Sequence, residues 1–458
     1  MKKHFLYLIV LLLFVSCNKA SNPKEMFLKR FAKGVIIDRV ECKATNDQSY
    51  CLYMPTAYDI KKTFPVIYAF DSHGDGHIPV ALLKETAEKY NYIVIGSNNS
   101  RNGLSSDDLN YALSQLFNDT KNKLSIDTTR MYMLGFSGGA RIACSVAQSM
   151  QGVKGVVACS ASFEAGSVAP TFTFIGISSD GDMNYLEMQK LHTSLQKLNS
   201  KAELILFEGK HEWPPKSIIN EAFDIMQLYA IKDNTVPQNK SIINEYLNTN
   251  LQKVSKLKVC NQIDSLIKGM NILKRTINIL NQLTDISKPK AMLDEILQIT
   301  EVQNYLKEQA SLEIYETQKQ QEFMAAYQTK QGDWWNVELK KLDNDQKQAN
   351  SLYRNVAKRL KGYISLSCYS YSNRALQSQD WKSAELFTSI YQKVDSENPD
   401  CYYALACLYA NTGKKEKAVS SLQQASKFGF SNTSKLQNDP MLNPLRGMPE
   451  FDKMLNGK

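Results

Sequence analysis

The sequence predicts an α/β fold with a doubly wound, mostly parallel sheet, followed by an all-α domain. From about residue 34 to residue 207, short segments rich in branched and aromatic residues alternate with amphipathic helical segments. The later strand segments are near-continuous apolar runs, as expected where helices cover both faces of a parallel sheet. After about Asp233 the strand pattern stops, and apolar residues recur at helical spacing.

Segments with strand character are bounded by turn residues and are too short for helices. They are residues 35–41, 50–54, 65–70, 92–97, 130–135, 153–159, 172–177 and 203–207. Amphipathic stretches between them include residues 107–122, 140–150 and 185–198. This order places the α/β domain at residues 24–232.

The second half divides into a helical linker or bundle at 238–350 and a further helical domain at 351–458. In the first part, one helical stripe carries Ile243, Leu247, Leu251, Val254 and Leu257. The second part resembles the tetratricopeptide pattern, with Ala384 placed 34 residues before Ala418. The positions that carry the resemblance are Tyr402, Leu405, Ala406, Tyr409, Gly413, Ala418, Leu422 and Ala425. A plain helical bundle is the alternative. The tetratricopeptide resemblance implies a protein partner for these helices.

The amino terminus has the features of a secretory signal. Lys2 and Lys3 precede an apolar run, residues 5–15, which is too short to span a bilayer. Cys17 directly after Leu-Phe-Val-Ser resembles a bacterial lipobox, which implies cleavage after residue 16 and lipidation of Cys17. An outer-membrane lipoprotein of the cell envelope is therefore expected, and an ordinary signal peptide with a chance cysteine is the alternative.

Composition excludes several classes of protein. The 458 residues are 43% hydrophobic, too apolar for wholesale disorder. A net charge of +9 is compatible with nucleic-acid binding. The sequence contains no nucleic-acid recognition module, however, and the predicted export to the cell envelope argues against such a partner. The charge instead favours anionic lipid or acidic polysaccharide surfaces. The cysteines lack CxxC spacing, so no zinc site is predicted, although Cys42 and Cys51 flank a predicted turn and could pair.

The most informative motif is G-x-S-x-G at residues 135–139, with strand residues before it and helix residues after it. A serine on a tight strand-to-helix turn projects its hydroxyl above the sheet, and small neighbours avoid clashes there. The following helix offers free backbone N–H groups and a positive dipole end. Ser137 is therefore the candidate nucleophile. A glycine-rich turn with an inert serine is the bland alternative.

A nucleophilic serine needs a base and an acid, and the chain has five histidines. His211 follows the last predicted strand, where a hydrolase with the order serine, acid, histidine places its base. His192 falls inside a helical pattern and is expected on the helix surface. The acid is expected in the loop after strand 172–177, where Asp180 and Asp182 compete.

An oxyanion hole needs two N–H donors. The backbone of Gly138 is expected to supply one, and Gly74, in the loop after the third strand, the other. In that loop His73 and His77, together with Asp71 and Asp75, could instead form a metal pair; since the loop has a simpler role beside Ser137, no metal is expected.

These motifs, with Asp-Met-Asn-Tyr at 182–185 and Gly-Lys-His-Glu-Trp at 209–213, resemble the α/β-hydrolase superfamily. The resemblance covers about residues 45–230 and is closest to secreted esterases of the polyhydroxybutyrate-depolymerase and dienelactone-hydrolase branch. Related proteins often have an aspartate before such an Asn-Tyr pair, which favours Asp182 over Asp180.

The resemblance implies a serine esterase that needs no cofactor and acts on a small ester or an esterified glycan. A serine peptidase or acyl-peptide hydrolase would use the same triad. An envelope scaffold, in which the helical repeats bind a partner, is the alternative from another class.

Overall fold

The computed structural model describes residues 22–43 and 47–455. The predicted signal segment, residues 1–17 with the predicted lipidation site Cys17, lies outside the described residues. Among the helices that are described, none combines the length and the apolar character needed to cross a bilayer.

Within the described residues, eight strands form one sheet. They are β1 (Ile36–Glu41), β2 (Ser49–Tyr53), β3 (Phe64–Phe70), β4 (Ile93–Ser97), β5 (Ile126–Phe136), β6 (Val153–Cys159), β7 (Thr173–Ser179) and β8 (Ala202–Phe207). Their order is β1-β2-β4-β3-β5-β6-β7-β8. The pairs β1–β2 and β2–β4 are antiparallel and the others are parallel. Every predicted strand segment is present, and the predicted fold class is confirmed.

Helices cover both faces of this sheet, which is why β3 and β7 are buried along their whole length. One face packs on α1 (Pro23–Arg30), α3 (Ser106–Lys123), α4 (Gly138–Ser149) and α5 (Tyr185–Lys197). The other packs on α2 (His77–Tyr90) and α6 (Lys216–Lys232). The carboxyl ends of the parallel strands therefore lie at one edge, between the two helical layers.

The rest of the chain is helical. Its helices are α7 (Lys240–Cys260), α8 (Ile263–Leu280), α9 (Ser287–Leu297), α10 (Thr300–Thr329), α11 (Gly332–Asp345), α12 (Ser351–Gln377), α13 (Trp381–Val394), α14 (Pro399–Asn411), α15 (Lys415–Lys427), α16 (Thr433–Asn438), the 3₁₀ helix η1 (Pro440–Leu445) and α17 (Pro449–Leu455). Ile243 of α7 and Ile279 of α8 belong to the same apolar cluster as Phe223 of α6. The helical half is thus packed directly on the α/β half.

Local sequence explains where several of these helices begin. The side chain of Asn239 accepts from the N–H groups of Ser241 and Ile242, which caps α7. Asn398 caps α14 and Pro399 occupies its first position. The chain then turns at Gly413, with φ +77°, into α15, so that α14 and α15 form a helical hairpin. The division of the helical half at residue 350 and its tetratricopeptide character remain predictions.

The cysteines of the α/β half are thiols in the apolar interior. Cys42 and Cys51 are both free and buried, so the pairing considered from the sequence is absent. Cys144 and Cys159 are also buried and free, as small apolar residues would be.

Candidate active site

The serine of the G-x-S-x-G motif stands at the sharp turn between β5 and α4. Ser137 has φ +53° and ψ −121°, a conformation that costs a residue with a side chain about 1–3 kcal/mol. The Ser137 N–H donates to the carbonyl oxygen of Cys159, at the end of β6, at 2.8 Å. This bond fixes the turn to the neighbouring strand, in the strand–turn–helix context predicted for the motif.

The outer glycines of the motif are required by close backbone approach. A Cβ atom on Gly135 would lie 2.1 Å from the carbonyl oxygen of Gly139, and a Cβ on Gly139 would lie 2.0 Å from that of Phe70. Backbone atoms cannot rotate away as a side chain can. A side chain at either glycine would therefore push α4 off the ends of β3 and β5, and would move Ser137 with it.

The imidazole of His211 reaches the serine from the loop after β8. Its Nε2 lies 2.9 Å from Ser137 Oγ, which is a hydrogen-bond distance. The ring packs against Phe136, with 4.9 Å between centroids, and 24% of the side chain is exposed. Packing therefore holds the ring, while part of the side chain stays exposed. His192 lies on α5, as expected, and is half-buried there; its Nε2 lies 3.2 Å from the side-chain nitrogen of Gln196.

Of the two competing acids, Asp182 is the one that faces the imidazole. Both of its carboxylate oxygens lie 3.1 Å from His211 Nδ1, and its side chain is fully buried. One oxygen also accepts the N–H of Asn184 at 2.8 Å. A buried carboxylate at this position can orient the imidazole and stabilise its protonated form.

Asp180 lies two residues earlier and has other partners. Its carboxylate accepts the N–H of Gly209 at 3.2 Å and the side-chain amide of Asn355 at 3.1 Å. Burial raises the pKa of the Asp180 carboxyl. Asp180 therefore connects the loop of Asp182 to the loop of His211 and to α12.

The two glycines predicted to form the oxyanion hole, Gly138 and Gly74, have different surroundings. Gly138 is the first residue of α4, directly after the serine, at the positive end of the helix dipole. The N–H of Gly74 instead donates to the carbonyl oxygen of Asp71 at 3.2 Å and is engaged in its own turn. The carboxamide of Asn102 lies against Gly138, where an added Cβ would be 1.7 Å from its Oδ1.

The carboxylate of Asp71 organises the loop after β3. Asp71 is buried and accepts the indole N–H of Trp213 and the backbone N–H of His73, both at 2.8 Å. His77 pairs with Asp38, with 2.6 Å between Nδ1 and Oδ1. In the described part of the chain, one group of three possible metal ligands has its ligand atoms within 4.8 Å of one another, and its members are Asp38, Cys51 and His77. The set of His73, His77, Asp71 and Asp75 that was considered as an alternative from the sequence is not that group.

Sequence reasoning missed Asn102, the structural use of Asp71 and the contacts from α12. The first two follow the carboxyl ends of β4 and β3, and position after a strand was a usable signal. The ring of Trp213 packs against that of Phe136, with 5.3 Å between their centroids. The contacts from α12 join residues 175 or more positions apart, and no local pattern indicates such a pair.

A cavity of about 270 Å³ opens away from these side chains. Tyr132, Lys154 and Thr173 line it, near the amino ends of β6 and β7. Ligands of open α/β sheets bind outside the carboxyl ends of the strands. The edge with Ser137 and His211 is therefore the candidate site.

No protein-family model and no curated protein match the chain. Several solved structures share part of its fold. An esterase of Pyrobaculum calidifontis is 10% identical, with 45% of this chain and 93% of its own covered, at a TM-score of 0.36. A fluorophosphonate-binding serine hydrolase of Staphylococcus aureus is 12% identical, with 42% and 97% covered, at a TM-score of 0.35.

A feruloyl esterase module from Clostridium thermocellum is similar to the same degree. It is 13% identical, with 41% of this chain and 86% of its own covered, at a TM-score of 0.35. At such identities and TM-scores, similarity does not assign a function to this chain. The functional assignment depends on the geometry of the side chains described above.

Proposed function

We propose that the protein is a serine hydrolase that cleaves carboxylic esters through an acyl-enzyme. The observation that carries the proposal is a continuous chain of side chains. Ser137 Oγ lies 2.9 Å from His211 Nε2, and His211 Nδ1 lies 3.1 Å from the buried carboxylate of Asp182. This is the arrangement of nucleophile, base and orienting acid that acyl transfer to serine requires.

In the first half of the reaction, Ser137 Oγ attacks the ester carbonyl carbon while His211 Nε2 takes its proton. The electron pair of the C=O bond moves onto the oxygen, which becomes an oxyanion, and Asp182 stabilises the imidazolium. The C=O bond then re-forms and the bond to the alcohol oxygen breaks. The alcohol leaves with the proton of His211, and an ester to Ser137 remains.

In the second half, a water molecule takes the place of the alcohol. His211 removes one proton from the water as its oxygen attacks the acyl carbon, and a second oxyanion forms. Collapse of this intermediate breaks the bond to Ser137 Oγ, which recovers its proton from His211. The products are a carboxylic acid and the original enzyme.

Stabilisation of the oxyanion is assigned to the N–H of Gly138 and to the side chain of Asn102. Gly138 begins α4, where free N–H groups and the helix dipole favour negative charge. Asn102 is preferred to Gly74 because the Gly74 N–H already has an acceptor. The carboxamide of Asn102 lies beside Gly138 with Oδ1 nearest, and the proposal requires it to turn so that its N–H faces the oxyanion. A side-chain amide supplies the same N–H donor as the backbone.

Hydrolysis of a series of nitrophenyl esters of increasing chain length, together with acetylated xylan, tests the proposed reaction. We expect turnover of at least one ester and its loss in Ser137→Ala. The matched control is Ser145→Ala, an exposed serine on the same helix, which should behave as the unmodified protein. Activity confined to thioesters or peptides would reject ester hydrolysis and favour the peptidase alternative.

Localisation is proposed from the sequence. We infer that the chain is lipidated at Cys17 and anchored to a membrane of the cell envelope, with its net charge of +9 favouring anionic lipid surfaces. Metabolic labelling with palmitate should mark the wild-type chain and not the Cys17→Ser variant. Equal labelling of both would contradict the anchor.

The helical hairpin α14–α15 is proposed to contribute to binding a protein partner. Support comes from the tetratricopeptide spacing of Ala384 and Ala418, both of which are fully buried. Capture experiments compare the full chain with a chain that ends before residue 399. We expect the full chain to recover the partner and the shortened chain to lose it. Equal recovery of the same partner would place its binding site elsewhere.

A further inference from the structure

The loop that carries Asp182 is covered by a helix from the other half of the chain. Helix α12 contacts it at several successive residues. The Arg359 guanidinium donates from Nη1 to the carbonyl oxygen of Asp180 at 2.8 Å. A Cβ atom on Gly362, one turn further along, would lie only 3.3 Å from Met183 Cβ. Both flanks of Asp182 are therefore held against α12.

Arg359 is itself fixed by a second helix. Its Nε lies 3.0 Å from both carboxylate oxygens of Glu316, on α10, and its Nη2 lies 2.6 Å from one of them. The Glu316 side chain is fully buried and that of Arg359 is 7% exposed. The guanidinium carbon also lies 4.4 Å from the ring centroid of Tyr185, the first residue of α5. A planar guanidinium with three such partners has one orientation available to it.

Asp180 extends the same connection to the loop of His211. Its N–H donates to the carbonyl oxygen of Phe207 at 2.9 Å, and its carboxylate accepts the N–H of Gly209 at 3.2 Å. Ser179 adds a bond from its Oγ to the carbonyl oxygen of Lys210 at 2.9 Å. A displacement of Asp180 would therefore move both the loop of Asp182 and the loop of His211.

We propose that Arg359 is a positioning residue, through which the helical half holds Asp182 in register with His211. This rests on the proposed function, because it assigns a role within the same triad. Residues 180–184, between the end of β7 and the start of α5, belong to no helix or strand, so the loop depends on contacts with other elements for its conformation. A misplacement of about 1 Å at a reacting group can cost about 100-fold in rate.

The bland alternative is that the ion pair only joins the two halves of the chain. The chain offers a control for this alternative, because the buried Arg275 on α8 forms an ion pair with the half-buried Glu221 on α6. Arg275 also reaches the carbonyl oxygen of Leu204 on β8. This pair joins the same two halves without touching the loop of Asp182.

The test compares two double variants of the full chain, since removing one partner alone would strand a buried charge. For Arg359→Met with Glu316→Gln, we expect kcat to fall about 10- to 100-fold with little change in KM, because the acid acts on the chemical step. For Arg275→Met with Glu221→Gln, we expect kcat to stay unchanged. Arg359→Lys should retain an intermediate kcat, since an ammonium cannot reproduce the forked geometry.

Repeating the Arg359 and Glu316 substitutions in an Asp182→Asn background separates positioning from general damage. If Arg359 acts through Asp182, the substitutions should cause no further loss of kcat once the acid is removed. The same fold-loss in both backgrounds, or an unchanged kcat in the first, would overturn the proposal.

Amide hydrogen exchange across residues 180–185 provides a readout that does not need activity. The bonds to monitor are those from the N–H groups of Asp182 and Tyr185 to the carbonyl oxygens of Ser179 and Asp182. Exchange there should become at least about tenfold faster in the Arg359 and Glu316 variant and not in the control; unchanged exchange would overturn the inference. If the Arg359 and Glu316 variant exchanges faster but the wild-type protein has no esterase activity, the proposed function is rejected while the role of Arg359 in holding the Asp182 loop is supported.

Discussion

Gly139 shows how tightly the turn at Ser137 is built. Its α-carbon faces the carbonyl oxygen of Phe70 so closely that a methyl group would overlap it at 2.0 Å. At the scale of single residues, this contact explains the glycine after the serine, and the approach of Gly135 to the carbonyl oxygen of Gly139 explains the glycine before it. The motif and its strand–turn–helix context could therefore be found from the sequence, because a steric rule lies behind them.

Gly139→Ala should lower stability and slow reaction at Ser137 together. The methyl group must displace backbone, and overpacking of this kind costs about 1–3 kcal/mol. Urea unfolding and esterase turnover measure the two effects. Gly332→Ala, at a helix start with open space and no positive φ, should leave both unchanged, and equal effects at the two glycines would contradict the steric explanation.

The residue pattern left Asp180 and Asp182 open as the acid, and the family resemblance of the segment at 182–185 favoured Asp182. Two aspartates in one short loop differ only in the direction of their side chains, and that direction is set by partners on the His211 loop and on α12. Asp182→Asn should lower kcat by about 10⁴-fold, because the amide disfavours the productive tautomer of His211. Asp180→Asn should cost about 100-fold or less. Equal losses, measured by steady-state kinetics, would contradict the assignment of Asp182 as the acid.

Asn102 supplies a further test at the residue scale. Loss of one oxyanion donor lowers kcat by about 10²- to 10³-fold in comparable sites, and we expect that range for Asn102→Ala with little change in KM. Asn102→Asp keeps the shape but brings an acceptor and a negative charge, so it should be at least as damaging. Wild-type kcat in both variants would return the role to a backbone N–H.

At the scale of elements, β8 carries a buried acid at its contact with helices from both halves. Glu203 accepts the hydroxyl of Tyr229 on α6 at 2.6 Å and the side-chain amide of Asn278 on α8 at 2.5 Å. Burial raises the pKa of the Glu203 carboxyl from its ordinary 4.5 to about 7, against the opposing effects of these bonds and of Arg275. The folded state therefore binds this proton more tightly than the unfolded state does.

The consequence is a loss of stability as pH rises. The stabilisation that comes from the protonated Glu203 carboxyl is fully present below about pH 4.5 and is lost as pH rises through about 7. The free energy of unfolding should fall by at most about 3 kcal/mol over this range. Glu203→Gln keeps both acceptor contacts and cannot ionise, so its free energy of unfolding should lack this fall. Urea unfolding at about pH 5 and about pH 8 measures the difference, and identical pH dependence in the two proteins would contradict the raised pKa.

The strands were the most predictable elements. Their apolar runs follow from burial on both faces, and each predicted segment overlaps an observed strand. Strand order and the face that each helix covers depend on long-range packing and were not predicted. The positions between 402 and 425 that carry the tetratricopeptide resemblance lie mostly in α14 and α15, but the resemblance does not specify where these helices lie relative to the sheet.

At the scale of the whole molecule, the two halves form one packed structure. Ile243 and Ile279 of the helical half complete an apolar cluster with Phe223 of the α/β half, while Arg359 contacts the loop of the acid. Such contacts join parts of the chain far apart in sequence. They could not be inferred from local patterns, which suggested only an appended helical domain.

A chain shortened after residue 233 tests this integration. It would expose the apolar residues of α6 that pack on α7 and α8 and would lose the contacts of α12. We expect a lower thermal midpoint or aggregation, together with reduced esterase turnover. A shortened chain with unchanged stability and turnover would show that the two halves are independent.

The central claim is that Ser137 is an activated nucleophile. The most direct measurement is reaction of the folded full chain with a fluorophosphonate, followed by peptide mass spectrometry. We predict a single adduct on the peptide that contains Ser137, absent from Ser137→Ala and retained in Ser145→Ala. A folded protein that forms no adduct, or a Ser137→Ala variant that is labelled to the same extent, would contradict the account.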